Sequence, residues 1–321
     1  VKGKDLLSVA DLSAADVAQL IRKALDGKQK RVSALLSGKA FALVFEKPSL
    51  RTRVSFELAI HQLGGYAFYL SPDEVGFGKR EPVSDVARVL SRYVDGIIAR
   101  TFSHHTLETF AEHATVPVIN ALSDLEHPCQ ALSDLLTIYE KHQKLRGLTL
   151  AFIGDGNNVA HSLLLAASLA GLNFYIASPP GYQVREEVLK LGKEFAKDSG
   201  SQIWLTHEPR RVVKDVDIVY TDVWTSMGQE AEAERRRIAF AGYQVDDELL
   251  ALAKKDVLLM HPMPAHCGEE IAPGLLDSPA SVVFDQAENR LHLQKTLLAE
   301  IFGNSELGKE KSVLSGITTS G

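Results

Sequence analysis

Short apolar runs alternate along the chain with longer stretches whose apolar residues recur every three or four positions. Residues 40–45 (Ala-Phe-Ala-Leu-Val-Phe) read as a buried strand, and 54–63 carry apolar side chains at helical spacing. The same alternation predicts strands at 66–70, 96–100 and 116–120, helices at 84–93 and 107–114, and a polar loop at 71–82. A long helix at 132–145 ends on Arg146-Gly147, and the pattern then restarts. Strands at 148–153, 174–177, 203–206, 218–221, 257–260 and 282–284 interleave with helices at 159–170 and 186–197. Ahead of all this, residues 1–36 are mostly helical in pattern, with Ser13-Ala14-Ala15-Asp16 as a start signal.

Strand–helix alternation of this kind predicts parallel sheets covered on both faces. The expected fold is α/β, with two doubly wound parallel-sheet domains of similar size linked by helices. The division falls near Arg146, giving domains 1–146 and 147–303. An amphipathic helix at 288–302 is expected to cross back onto the first domain, and 304–321, polar and rich in small residues, reads as a mobile tail.

Chemistry concentrates where predicted strands end, the place open α/β sheets put their ligands. In Phe45-Glu46-Lys47-Pro48-Ser49-Leu50-Arg51-Thr52-Arg53, Pro48 breaks the strand and Ser49 stands as a helix N-cap. A helix start offers free N–H groups and a positive dipole end, and Ser49, Arg51, Thr52 and Arg53 add hydroxyls and charged forks suited to phosphate. Arg100 follows the next strand. His127 and Gln130, in Ser123-Asp124-Leu125-Glu126-His127-Pro128-Cys129-Gln130, can bond a carbonyl oxygen and an amide. Asn157 and Asn158 read as polar groups aimed at a substrate's carboxylate or amine. Asp222 suits a cationic amine, and Ser226 with the backbone at Met227 suits a carboxylate. The charged run 230–237 reads as a solvated face. His261-Pro262-Met263-Pro264 makes a rigid turn with carbonyls free to accept.

The totals narrow the field. A net charge of −6 over 321 residues argues against a nucleic-acid partner held by diffuse positive charge, yet allows a small anion in a basic pocket. No apolar run is long enough to span a bilayer, so no membrane is expected, and two cysteines make no disulfide framework. Gly154 and Gly156 fit half of a dinucleotide fingerprint. Val159 replaces the third glycine and no acid follows the next strand, which disfavours an NAD-dependent dehydrogenase. A Cys129–His127 nucleophile pair lacks the rest of its machinery, and the histidines show no familiar metal-ligand spacing.

Taken in order, these clusters resemble the carbamoyltransferase family over roughly residues 6–302. Ser49-Leu50-Arg51-Thr52-Arg53 resembles its carbamoyl-phosphate loop, with Leu50 where Thr is frequent. Arg100, His127-Pro128-Cys129-Gln130 and Arg290 match its other carbamoyl-phosphate positions, joined by Pro262 and Met263. Asn158, Asp222 and Ser226-Met227-Gly228 match its ornithine positions. The resemblance implies transfer of a carbamoyl group from carbamoyl phosphate to the δ-amine of L-ornithine, giving L-citrulline and phosphate in arginine biosynthesis. It places Arg51, Arg100, His127 and Pro262 at the reacting group. It further implies no metal or organic cofactor, a homotrimer with shared sites, and a cytoplasmic setting.

Two departures stand out. Pro262 occupies a position where ornithine enzymes of the family usually carry a cysteine, while aspartate-using relatives carry proline. Aspartate is therefore the alternative substrate, although Asp222 would repel its side chain. Cys267, five residues on, is not expected to replace the missing thiol. Gly76 stands where a polar residue of a neighbouring subunit often reaches the carbamoyl-phosphate site, and Lys79 or Arg80 is the offered substitute.

Overall fold

A computed structural model describes residues 1–29, 33–76, 81–226 and 228–303. The readings placed on Lys79, Arg80, Met227 and 304–321 lie outside the described residues.

Among the described residues, the apolar runs form nine strands in two sheets. The first sheet holds β1 (Ala40–Phe45), β2 (Tyr66–Leu70), β3 (Gly96–Arg100) and β4 (Val118–Leu122), all parallel, in the order β2-β1-β3-β4. The second holds β5 (Thr149–Ile153), β6 (Asn173–Ala177), β7 (Ile203–Thr206), β8 (Ile218–Thr221) and β9 (Leu258–Met260), also parallel, in the order β7-β6-β5-β8-β9. The predicted α/β class with two doubly wound parallel sheets is what the chain adopts.

Strand order reverses direction between β1 and β3 and again between β5 and β8. Loops leaving the carboxyl ends of such neighbours diverge and open a crevice. Register places Phe45 beside Arg100 at the first reversal and Ile153 beside Thr221 at the second. The polar clusters thus emerge at the two crevices.

The helix Val283–Phe302 ties the C-terminal segment to the first sheet. Arg290 donates to the Thr52 hydroxyl at 2.8 Å, and the Phe302 ring meets Phe41 edge-on at 4.9 Å. One apolar cluster runs through Phe41, Leu136, Phe152, Leu163 and Leu297, joining both halves. Each fully buried Leu or Phe in it contributes about 1.5–3 kcal/mol relative to exposure.

Several local readings are corrected. Residues 282–284 are not a strand. One bridge, Leu259 to Ser281, is all that forms before the helix Val283–Phe302 begins, five residues earlier than expected. Val283 is buried and Phe284 exposed, so that run is split between opposite faces of a helix. Within 1–36, Leu6 adds a bridge to Ile119 at the edge of the first sheet, and helix occupies Ala14–Gly27, capped by the Ser13–Asp16 box. The loop 71–82 contains the short helix Pro72–Val75, closed by Gly76 at φ 48°.

Candidate active site

A cavity of about 650 Å³ lies between the two sheets, and most predicted site residues line it, while Arg53, Asn157 and Gly228 do not. Ser49, Leu50, Arg51, Thr52, Arg100, His127 and Gln130 come from the first half, Asn158, Asp222, Ser226, Pro262 and Met263 from the second, and Arg290 from the last helix.

The helix Leu50–Gln62 begins without a side-chain cap. Ser49 has the extended backbone of an N-cap, but its hydroxyl donates to Thr52 Oγ1 at 3.1 Å instead of accepting from the first turn. This corrects the capping expectation and leaves the helix start open to an incoming anion. Thr52 is buried and fixed from both sides, by Ser49 and by Arg290. Leu50 points its side chain largely into solvent. Arg53 pairs with Glu57 at 3.0 Å and lies over the Tyr69 ring.

Three guanidiniums converge with no ion-pair partner among the described residues. Among the described residues, no carboxylate lies within 4.0 Å of Arg51, Arg100 or Arg290, and the Nε atoms of Arg100 and Arg290 are buried without a partner. Burial, followed by repulsion from Arg290 and Arg51, pushes the Arg100 pKa down to about 10. Burial likewise takes Arg290 down to about 10, and lowers Arg51. A compact dianion relieves both penalties at once.

His127 sits beside this cluster, fully enclosed. Burial first, then the charges of Arg290, Arg100 and Lys47, hold its pKa well below the ordinary histidine range. It is a neutral imidazole at pH 7, able to donate one N–H without adding charge, and its buried Nδ1 has no partner. Its backbone N–H donates to Ser162 Oγ at 2.9 Å, and Ser162 donates to Glu126, which locks the preceding loop.

On the facing side, Asp222 accepts from Asn157 Nδ2 and from the Val223 N–H, both at 2.8 Å. Burial raises its pKa. Asn157 also accepts from the Val159 and Ala160 N–H groups as the cap of the helix Asn158–Ala170. It is therefore a support for Asp222 and not, as expected, a group aimed at substrate. Asn158 does line the cavity, with its Nδ2 donating to the Ser123 carbonyl at 2.6 Å.

The turn at 261–264 is braced by a buried histidine. His261 Nδ1 accepts from the Met263 N–H at 2.9 Å, so the ring proton sits on Nε2, which donates to Glu270 at 3.1 Å. Met263 is held at φ 57° and its bond to Pro264 is cis. Cys267 is exposed and does not line the cavity.

The run 230–237 is not simply a solvated face. Arg236 turns inward to Asp155 Oδ2 at 2.7 Å and the Trp224 carbonyl at 2.8 Å, while Glu230 and Arg237 reach the cavity wall. Lys47 is a further cavity residue given no role from sequence. It is nearly buried, stands 5.0 Å over the Phe102 ring, and has its pKa lowered to about 8 by burial and by Arg100. A lysine two residues beyond the end of an all-apolar strand was the available signal. His266 and Glu269 also line the cavity, and with Glu270 they place three potential metal-ligand atoms within 4.8 Å of one another.

Two weaker readings lose their footing. A Cβ on Gly156 would lie 2.2 Å from the Val184 nitrogen, so the turn packs against its own chain where a dinucleotide would need an open cradle. The Cys129 thiol is buried, and its pKa is pushed up to about 12, far from a thiolate nucleophile.

Residues 4–140 match the family model for the carbamoyl-P binding domain of aspartate/ornithine carbamoyltransferase, and residues 146–301 match that for its Asp/Orn binding domain. The chain belongs to the aspartate/ornithine carbamoyltransferase family. Among its relatives in the family, an ornithine carbamoyltransferase from Anoxybacillus flavithermus is 51% identical over 305 residues, 94% of this chain and 97% of that protein. The anabolic ornithine carbamoyltransferase of Pyrococcus furiosus is 50% identical over the same shares. A solved ornithine carbamoyltransferase structure from Pyrococcus furiosus gives a TM-score of 0.91 at 48% identity, covering 94% of this chain and 97% of that one. One from Thermus thermophilus gives 0.86 at 45%, covering 94% and 100%.

Proposed function

We propose that this carbamoyltransferase moves the carbamoyl group of carbamoyl phosphate to the δ-amine of L-ornithine, releasing L-citrulline and phosphate, in the direction of arginine synthesis. The observation that carries the reading is a cluster of three unpaired arginines facing a buried carboxylate across one cavity. The names of the relatives support ornithine as the amine.

The open helix start with Ser49, Leu50, Arg51 and Thr52 holds the phosphate. Arg100 and His127 donate to the carbonyl oxygen, whose charge grows as the amine attacks. Gln130 Oε1 and the carbonyls of Pro262 and Met263 accept from the carbamoyl NH2. Arg290 supports the phosphate and fixes Thr52. Asp222 holds the α-amino group of ornithine, and Asn158, Ser226 and Met227 its carboxylate. An alkyl ammonium with a pKa near ~10 costs about 4 kcal/mol to deprotonate at pH 7. Pro262 brings no thiol to that step, so the proton leaves to solvent or to the departing phosphate.

The functional units are residues 1–146 for carbamoyl phosphate and 147–303 for ornithine, with no metal or organic cofactor in the reaction. The working form is a cytoplasmic homotrimer with shared sites. Support for assembly comes from Leu50, Val54 and Leu58, which make an exposed apolar stripe on one helix, next to exposed Tyr66 and Phe68. Among the described residues, no helix is long and apolar enough to cross a membrane.

The test is citrulline formation from carbamoyl phosphate with a panel of amines. Turnover with aspartate and none with ornithine would overturn the proposal. Light scattering of the purified chain measures the assembly, and a monomer that is fully active would remove the shared-site part.

A further inference from the structure

Asp134 lies one helical turn beyond Gln130, fully buried, and does not line the cavity. Its Oδ1 accepts from Gln130 Nε2 and from Gln286 Nε2, each at 2.8 Å, and its Oδ2 accepts from the Tyr220 hydroxyl at 2.9 Å. Gln286 also donates to Tyr220 at 3.1 Å, while its Oε1 accepts from the His261 N–H at 2.9 Å. The knot joins the helix Pro128–His142, β8 and the helix Val283–Phe302. A buried carboxyl is costly, and here burial pushes its pKa up to about 7 against three hydrogen bonds. The reaction gives it no proton to carry.

What it does control is the direction of an amide. Asp134 Oδ1 offers Gln130 only lone pairs, so Gln130 must turn its NH2 toward it and its Oε1 away. That Oε1 is buried and has no partner, although Gln130 lines the cavity. An acceptor left unmet in the wall of an anion site calls for an N–H donor on the ligand. By the same logic Asp134 orients Gln286, which holds the His261 N–H at the start of the turn that presents Pro262 and Met263.

We propose that Asp134 is a positioning residue that fixes the Gln130 amide, and thereby makes the cavity select acyl phosphates with an NH2 beside the carbonyl over isosteres with a methyl there. The proposal rests on the carbamoyl-phosphate reading of the site. Its prediction concerns a ratio of affinities, which a role confined to folding would not move.

Phosphonoacetamide and 2-oxopropylphosphonate differ only in NH2 against CH3, and inorganic phosphate reports the anion site alone. Calorimetry on the full chain is expected to show the amide bound at least about tenfold more tightly than the ketone. In Asp134→Leu the preference should fall to within about twofold of unity, with phosphate affinity kept within about threefold. Asp134→Asn, which retains an acceptor oxygen, should restore the preference. Asp134→Ala, with room for a water, takes the place of the leucine variant should that not fold. A folded leucine or alanine variant that keeps the tenfold preference overturns the proposal, as does an asparagine variant that loses it. Wild-type protein that binds phosphate but does not distinguish the two phosphonates overturns the proposal alone. Wild-type protein that binds none of the three overturns the carbamoyl-phosphate reading, and the proposal with it.

Discussion

Replacing Arg290 with methionine is expected to separate stability from binding. Arg290 is fully buried, and its pKa falls from the ordinary guanidinium range to about 10, chiefly through burial. At about 1.4 kcal/mol for each pH unit, holding that charge costs the empty folded state about 3 kcal/mol. Folded and unfolded chains both carry the charge at pH 7. The cost is therefore present in full through the neutral range and lifts only as pH rises through about 10. Methionine keeps most of the apolar stem and gives up the 2.8 Å bond to Thr52, which is worth about 1.5–3 kcal/mol as a charged hydrogen bond. The net is a gain of about 0–1.5 kcal/mol in the unliganded protein. For a chain of 321 residues, each kcal/mol moves Tm by about 1.5 °C, so Arg290→Met should melt at the wild-type temperature or up to about 2 °C above it. Inorganic phosphate at a hundred times its Kd should raise the wild type by about 4 °C and the variant not at all, which inverts their order. Scanning calorimetry with and without phosphate reads this directly, and carbamoyl phosphate should bind at least about a hundredfold more weakly by titration calorimetry. A variant that melts well below wild type when empty, yet is stabilised by phosphate as wild type is, would refute the account of the arginine cluster.

Three further outcomes are expected. Gly156→Ala sets a Cβ 2.2 Å from the Val184 nitrogen and 2.3 Å from the Gln183 carbonyl carbon, backbone atoms that cannot swing aside. Urea unfolding should show a loss of about 2–3 kcal/mol, and wild-type stability would count against the packing argument. Because the Lys47 pKa in the empty site is about 8, phosphate affinity should fall between pH 8 and 9.5 as that cation is lost. Lys47→Arg should flatten the fall, and an equal pH dependence in both proteins would show that Lys47 does not face the anion. Pro262→Cys supplies a thiol beside the amine and should lower the optimum pH or the ornithine KM; an unchanged profile and KM would speak against a role for this position in deprotonation.

The strand ends were legible because an all-parallel sheet is apolar along its strands, which leaves chemistry to concentrate in the loops that follow. Arg100, Asn158 and Asp222 stand out on that ground alone, and register brings the first to the β1–β3 reversal and the others to the β5–β8 reversal. What stayed hidden depends on rotation and on partners distant in sequence. Val282-Val283-Phe284 has the composition of a strand, but only the position of Leu259 shows that one bridge forms before the helix begins. Arg236 looks like its charged neighbours until Asp155, 81 residues earlier, draws it inward. Asn157 and Asn158 are adjacent and chemically identical, yet one caps a helix and supports Asp222 while the other reaches the cavity.

Asp134 is the extreme of this class. On its helix it stands among Leu132, Leu135 and Leu136, and its partners come from residues 130, 220 and 286. A pattern of polar and apolar positions marks it only as a misplaced charge. The physical reason to keep a carboxyl there appears once the buried, unmet oxygen of Gln130, a residue of the cavity wall, is taken into account. An apolar residue at that point would remove the cost of burial but leave the Gln130 amide free to turn either way. An amide that can turn presents a donor as readily as an acceptor, so the site would hold phosphate and lose its grip on which acyl group the phosphate carries.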